Sequence, residues 1–303
     1  MRRLPALAAL LTAVLTGTGC RPTKGQSAVV RDIATLAARL ERLSEGLRRS
    51  SDSGANREEP LARWVLPLGL SEISGIALTS DGRLLAHNDE AGRVFEIDYR
   101  RGMVVKQFML GKQTIHGDFE GITIVGERIF MLASNGDVYE FREGKDGDRV
   151  DFAVHDTKLG RECEFEGVAF DSAANSLVMA CKNVGMKSLK DFVVLYRWNI
   201  DDSTASGVSQ IKVPLSEVIG SNGWKGFNPS DIAVDPQTGD YLIVASQQKG
   251  LLSLTPGGVV LFSRPLSNRH PMAEGLAITK DSILIISDEA TRTPAAITLY
   301  RWP

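Results

Sequence analysis

From Ile73 to the C-terminus the chain is a succession of short apolar, β-branched runs, and five of them open on a phrase of one shape. The copies are Glu72 to Ala77 (Glu-Ile-Ser-Gly-Ile-Ala), Asp118 to Thr123 (Asp-Phe-Glu-Gly-Ile-Thr), Glu164 to Ala169 (Glu-Phe-Glu-Gly-Val-Ala), Asn228 to Ala233 (Asn-Pro-Ser-Asp-Ile-Ala) and Met272 to Ala277 (Met-Ala-Glu-Gly-Leu-Ala). Their third residues fall at 74, 120, 166, 230 and 274, so the steps are 46, 46, 64 and 44 residues. A period in the forties, with several short strands per unit, predicts an all-β, five-bladed β-propeller. The stretch after the last copy and the stretch from Pro60 to Ser74 together supply one more period. The ring is therefore expected to close through an N-terminal strand around Trp64 to Leu68.

Within each period the runs alternate with turn residues. Blade one reads as Ile73–Leu78, Arg83–His87 and Arg93–Asp98, with an outer strand Val104–Leu110. Blade two reads as Ile122–Ile124, Arg128–Ala133 and Val138–Phe141, and blade three as Val168–Phe170, Ser176–Cys181 and Phe192–Trp198. Blade four follows with Ile232–Val234, Tyr241–Ala245 and Leu251–Leu254, and blade five with Leu276–Ile278, Ile283–Ser287 and Ile297–Trp302. The extra length of the third period is expected in loops near Val184–Lys190 and Pro214–Lys225. The inner strands are short and apolar, as strands buried on both faces should be. Closure also leaves only short outer edges unpaired.

The N-terminal 59 residues follow other patterns. Residues 1–20 carry Arg2 and Arg3, an apolar core from Leu4 to Leu15, and small residues before Cys20, which is a secretory signal too short to span a bilayer. A cysteine placed there looks like the acylated residue of a bacterial lipoprotein, and plain secretion is the alternative. Residues 21–59 predict a helical stalk and a linker. Val29, Ile33, Leu36, Leu40, Leu43 and Leu47 form a seam at steps of four and three, and Ser50–Glu59 reads as flexible. The propeller then occupies 60–303. The expected location is the cell envelope, with a lipid anchor in the outer membrane or at the cell surface, or else a secreted or periplasmic form.

Composition narrows the partners. The 303 residues are 43% hydrophobic and 24% charged, with a net charge of −2. That is ordinary for a soluble fold with a large core, and without a basic stripe it argues against nucleic acid. Cys163 and Cys181 stand at the same end of an up-and-back hairpin in an oxidising compartment. Either a disulfide or two buried thiols fits them.

In a propeller, the loop entering each innermost strand and the turn between strands two and three share one face, around the mouth of the central channel. The entering loops bring Glu72, Asp118, Glu120, Glu164, Glu166, Asp231 and Glu274, and the turns bring Asp89 and Glu289. Carboxylates that close together raise one another's pKa unless a cation neutralises them. An all-oxygen donor set suits calcium. Glu120, Glu166, Asp231 and Glu274 are the first candidates for metal ligands, followed by Glu72, Glu164, Asp89 and Glu289. The alternative is that acidic residues cap backbone N–H groups and the glycines only allow tight turns. His116 and His270, each four residues before an anchor, are candidates to flank the mouth. Lys182 and Arg292 read either as anion contacts or as solvated charges. The sequence holds no Gly-x-Ser-x-Gly elbow, no His-Glu-x-x-His helix and no phosphate loop.

In order and spacing these phrases resemble the SdiA-regulated family of bacterial envelope propellers: Ile-Ser-Gly-Ile-Ala at 73–77 with Asn-Asp-Glu at 88–90, Phe-Glu-Gly at 119–121 and 165–167, Pro-Ser-Asp-Ile-Ala at 229–233, and Ala-Glu-Gly-Leu-Ala at 273–277 with Ser-Asp-Glu at 287–289. The resemblance covers about Leu61 to Pro303. It implies a five-bladed, calcium-binding propeller with no established reaction, acting as a binding or interaction module for an envelope protein or a small molecule. The Glu-Gly phrase is also distantly similar to that of calcium-dependent lactonases and gluconolactonases, where such a Glu helps hold the catalytic metal, and to that of esterase-like phytases. This similarity implies the alternative of a calcium-dependent hydrolase of lactone, ester or phosphoester bonds, and nominates Glu120, Glu166 or Glu274.

Overall fold

The computed structural model describes residues 59–201, 207–220 and 222–303. The chain divides into two units, Met1–Gly54 and Ala55–Pro303, and everything described lies in the second. The leader, Cys20 and the stalk helix lie outside the described residues. Among the described residues no helix is long and apolar enough to cross a membrane.

Strand β1 (Ala62–Val65) comes first in the chain but belongs to the last blade. Blade one contains β2 (Ile73–Leu78), β3 (Leu84–Asn88), β4 (Arg93–Asp98) and β5 (Met103–Leu110). Blade two contains β6 (Phe119–Val125), β7 (Arg128–Ala133), β8 (Asp137–Arg142) and β10 (Phe152–Asp156), while β9 (Arg149–Val150) adds a parallel fifth strand to blade one. Blade three contains β11 (Cys163–Asp171), β12 (Ser176–Val184), β13 (Phe192–Asn199) and β14 (Val208–Pro214), and a one-turn helix α1 (Leu215–Ile219) follows it. Blade four is β15 (Asp231–Val234), β16 (Tyr241–Ala245), β17 (Gly250–Leu254) and β18 (Val260–Pro265). Blade five is β19 (Ala273–Ile278), β20 (Ile283–Asp288) and β21 (Ala296–Arg301), with β1 as its outermost strand.

The five sheets are the five expected blades. Ala62, Arg63, Trp64 and Val65 pair with Leu299, Thr298, Ile297 and Ala296, which closes the ring. The closing strand begins two residues earlier and ends three residues earlier than the sequence suggests. Pro67 has no N–H to donate, and a 3-10 turn at Leu68–Leu70 begins after it.

Five apolar clusters hold the ring, one between each pair of neighbouring blades. Leu85, Val94 and Phe108 of blade one meet Phe119, Ile122 and Met131 of blade two, for example, and Ile73, Ile76 and Phe95 of blade one meet Ile285, Ile297 and Leu299 of blade five. A buried Leu, Ile or Phe contributes about 1.5–3 kcal/mol, against about 1 kcal/mol net for a ladder hydrogen bond. Residue for residue, packing between blades therefore stabilises the ring more than the ladders within them. On the face away from the mouth, polar contacts cross the same joints. Trp302 Nε1 donates to Asp235 Oδ2 at 2.7 Å, Tyr241 donates to Asp171, and Arg83 pairs with Glu143.

Candidate functional site

The repeated phrase has a structural cause in the register of each hairpin. Ile73 pairs with Asn88 and Gly75 with His87, so Ser74 is an extra residue in a β-bulge. Glu120 and Glu274 are the extra residues between the pairs Phe119–Ala133 and Gly121–Leu132, and Ala273–Asp288 and Gly275–Ser287. In blade three the pairing slips between Phe165–Cys181 and Val168–Met179, at Glu166 and Gly167. A bulge bends its strand and re-aims one side chain. Here it turns the third residue of the phrase toward the mouth.

The glycine that follows answers a different constraint. A Cβ on Gly121 would lie 2.8 Å from the Val168 nitrogen, and one on Gly167, whose φ is +87°, would lie 2.5 Å from Asp231 Cα. A Cβ on Gly75 would stand 3.2 Å from Gly121 Cα. The inner strands meet backbone to backbone, and only a residue without a side chain fits. Blade four is the exception. Ser230 takes the place of the glutamate and Asp231 that of the glycine, and Asp231 Oδ2 accepts from the Leu276 N–H of blade five at 2.6 Å.

Asp231 is thus a joint between blades, 2% exposed, with its carboxylate committed to backbone. Burial holds its pKa well above the usual carboxylate range. Because burial favours the uncharged form, Asp231→Asn should melt closer to wild type than Asp231→Ala. Asp231→Ala strands the Leu276 N–H and should cost about 1–3 kcal/mol, read by denaturant or thermal unfolding.

The remaining nominated residues divide by position. Glu120, Glu166 and Glu274 come together around Lys182. The Lys182 ammonium pairs with Glu166, which is 3% exposed, and its charge acts on Glu120, Glu274 and Glu289. Ser74 Oγ donates to Glu120 Oε2 at 3.2 Å, and Ser230 and Ser246 bond to Glu274. Burial first, and then Asp118, push the Glu120 carboxyl up to about 7. Burial also takes Glu274 to about 7, with Glu289 adding to the rise and Lys182 opposing it. Glu72, Asp89 and Glu289 form a second group on the side of blades one and five. Asp89 is raised by burial and by Glu72, and Glu289 by burial and by Asp89 and Glu72. Glu164 is exposed and accepts from Asn183 Nδ2 at 2.8 Å, outside both groups.

These shifts set a pH dependence. Glu120 and Glu274 hold protons in the folded state up to about 7, whereas the unfolded chain releases them near 4.5. The folded state binds more protons between those values, so stability falls as pH rises through that window. Melting temperature without added cation should drop from pH 5 to pH 8, and Glu120→Gln with Glu274→Gln should flatten the profile.

An all-oxygen set of this kind fits a hard cation. Asn88 Oδ1, Asp89 Oδ1 and Glu166 Oε2 are buried without a hydrogen-bond partner, and a bound cation would satisfy such acceptors. Among the described residues, no three of His, Cys, Asp and Glu stand as a ready-made ion cage, and at Glu166 the cation in place is the Lys182 ammonium.

Several other residues have definite places in the fold. His270 does not flank the mouth. It is 1% exposed, with Nδ1 2.7 Å from Asp288 Oδ2 and Nε2 2.7 Å from the Tyr300 hydroxyl. His116 is exposed at the Ala91 bridge. His87 is fully buried, and burial lowers its pKa to about 4. Lys182 is not a solvated charge, and only its place in the blade-three turn hinted at this. Cys163 and Cys181 are joined by a disulfide with a Cα–Cα distance of 5.6 Å.

No family model and no curated protein matches the chain. Among solved structures, the chain is similar to the glutaminyl cyclase of Myxococcus xanthus, with a TM-score of 0.53, 12% identity, and coverage of 80% of this chain and 94% of that one. It is also similar to a PQQ-bound aldose sugar dehydrogenase from Streptomyces coelicolor, with a TM-score of 0.52, 11% identity, and coverage of 80% and 97%. At such identities the likeness is one of fold. The chain is a β-propeller.

Proposed function

We propose that the chain is a calcium-binding propeller of the cell envelope, a non-enzymatic module that presents its mouth to a protein or small-molecule ligand. The observation that carries this reading is the convergence of bulge-directed carboxylates from blades two, three and five beside the group Glu72, Asp89 and Glu289. Several of these carboxyls are forced toward neutrality by burial and mutual repulsion. A divalent cation would relieve that repulsion. The resemblance in phrasing to SdiA-regulated envelope propellers supports the same reading, and Cys20 supports lipid anchoring. The test is calcium titration of metal-stripped protein, with melting in calcium and in chelator. Saturable binding near the micromolar range with a raised melting temperature is expected. Absence of both heat and shift would sink the reading.

A second reading, a calcium-dependent hydrolase, draws on one observation. Burial pushes the Glu120 and Glu274 carboxyls up to about 7, where general acid–base groups work best. Turnover of a lactone or phosphoester that Glu274→Gln abolishes without loss of fold would favour it.

A further inference from the structure

Lys182 occupies a position that the propeller repeats five times. It follows the residue paired with the one before the anchor, at a bulge within β12, and its counterparts in the other blades, each the first residue after the second strand, are Asp89, Ser134, Ser246 and Glu289. The anchors facing this ring are Ser74, Glu120, Glu166, Ser230 and Glu274. The two rings together hold five carboxyl groups, and Lys182 is their one cationic side chain. Like Ser74, Glu120 and Glu274, it is a bulge residue. Glu164 pairs with Asn183 and Phe165 with Cys181, which leaves Lys182 as the extra residue of β12.

Its backbone is fixed on both sides. Cys181 is tied to Cys163, and the Lys182 carbonyl accepts from Asn228 Nδ2 at 3.0 Å. The side chain is a flexible four-carbon stem, about a quarter exposed, so it can leave the mouth without moving the strand. Glu166, by contrast, is buried, and its Oε2 has no partner while Oε1 holds the ammonium. The buried Glu166 carboxylate therefore has room for more cationic contact than Lys182 supplies.

We propose that the Lys182 ammonium is a tethered occupant of a cation position at Glu166, within electrostatic reach of Glu120 and Glu274, and that an external cation enters that position by displacing it. This deepens the calcium reading and rests on it for the identity of the natural ligand. The position at Glu166 already holds a cation, the Lys182 ammonium. A tethered competitor lowers apparent affinity by holding the site in a closed population. Removing the ammonium opens the position at Glu166, and an arginine in its place should keep it closed.

The experiment titrates calcium, and separately ethylammonium, into full-length wild type, Lys182→Met and Lys182→Arg, read by calorimetry and by melting temperature. Lys182→Met should bind calcium at least tenfold more tightly than wild type, gain stability from ethylammonium where wild type gains none, and melt lower than wild type without ligand. Lys182→Arg should behave as wild type. Ethylammonium binding to Lys182→Met without calcium binding to either protein upholds the tethered occupant and rejects the calcium reading. Calcium binding of equal strength in wild type and Lys182→Met overturns the inference and keeps the calcium reading. Failure of Lys182→Met to respond to either cation overturns the inference as well. If Lys182→Met does not fold, the milder Lys182→Gln takes its place under the same criteria.

Discussion

Gly167→Ala is expected to destabilise the propeller by about 2–5 kcal/mol, and Gly82→Ala by about 1–2 kcal/mol. Both glycines have a positive φ, +87° and +84°. A side chain in that region costs about 1–2 kcal/mol from backbone strain alone. A Cβ on Gly82 meets nothing within 4 Å, so strain is the whole effect there. A Cβ on Gly167 would lie 2.5 Å from Asp231 Cα and 2.9 Å from the Ile232 nitrogen, which are main-chain atoms that cannot rotate away. Overpacking of this kind adds about 1–3 kcal/mol and sometimes more. A closed ring has little means of relief, because moving blade three away from blade four strains every other joint or opens the β1–β21 pairing. For a unit of this size each kcal/mol lowers the melting point by roughly 2–4 °C. Gly167→Ala should then melt roughly 4–20 °C below wild type, and Gly82→Ala roughly 2–8 °C below. Equal losses in the two variants would show that conformation, and not the contact between blades, fixes the glycine.

That contrast also explains what the sequence disclosed. The Glu-Gly phrase was visible as text because two independent demands fall on adjacent residues, a bulge that re-aims one side chain and a contact that forbids the next. The repeat period made blade number and closure legible, since each apolar run sits between two neighbouring blades. The outer strands β9, β10, β14 and β18 were not legible. Exposed residues such as Ala153 and Val154 in β10, or Ser209 and Gln210 in β14, carry no burial pattern to set against a loop.

The site was legible as a set of residues but not as a grouping. In blade four the phrase reads Ser-Asp, and its acid suggested a ligand. The register places Asp231 where the other blades have glycine, so the carboxylate reaches the next backbone instead. His270 shared a spacing with His116, yet spacing does not report the inward turn toward Asp288 and Tyr300. Lys182 was hidden for a related reason. A lone lysine in a turn looks solvated until the bulge that redirects it is known.

Converting both Cys163 and Cys181 to serine is expected to cost about 3 kcal/mol. The bond closes a loop with a sequence separation of 18, and constraining a loop of that length in the unfolded chain contributes about 3 kcal/mol. Melting should fall by roughly 6–12 °C. Wild type in reductant should approach the double variant, while the variant itself should not respond to reductant. The loss should be concentrated at the mouth end of the β11–β12 hairpin. There the ladder is interrupted on both strands, at Glu166–Gly167 and at Lys182, and the pairs Cys163–Val184 and Glu164–Asn183 lie beyond the interruption. Backbone amides from 182 to 185 should therefore exchange faster in the variant, with those of 177–180 unchanged. If the double variant melts within a degree of wild type, then Phe165, Leu189 and Tyr196, which are buried with both cysteines in the cluster between blades two and three, already hold this end of the hairpin. The covalent bond would then be redundant with packing. Either result assigns the rigidity of the Lys182 backbone to one cause, the disulfide or the apolar cluster beneath it.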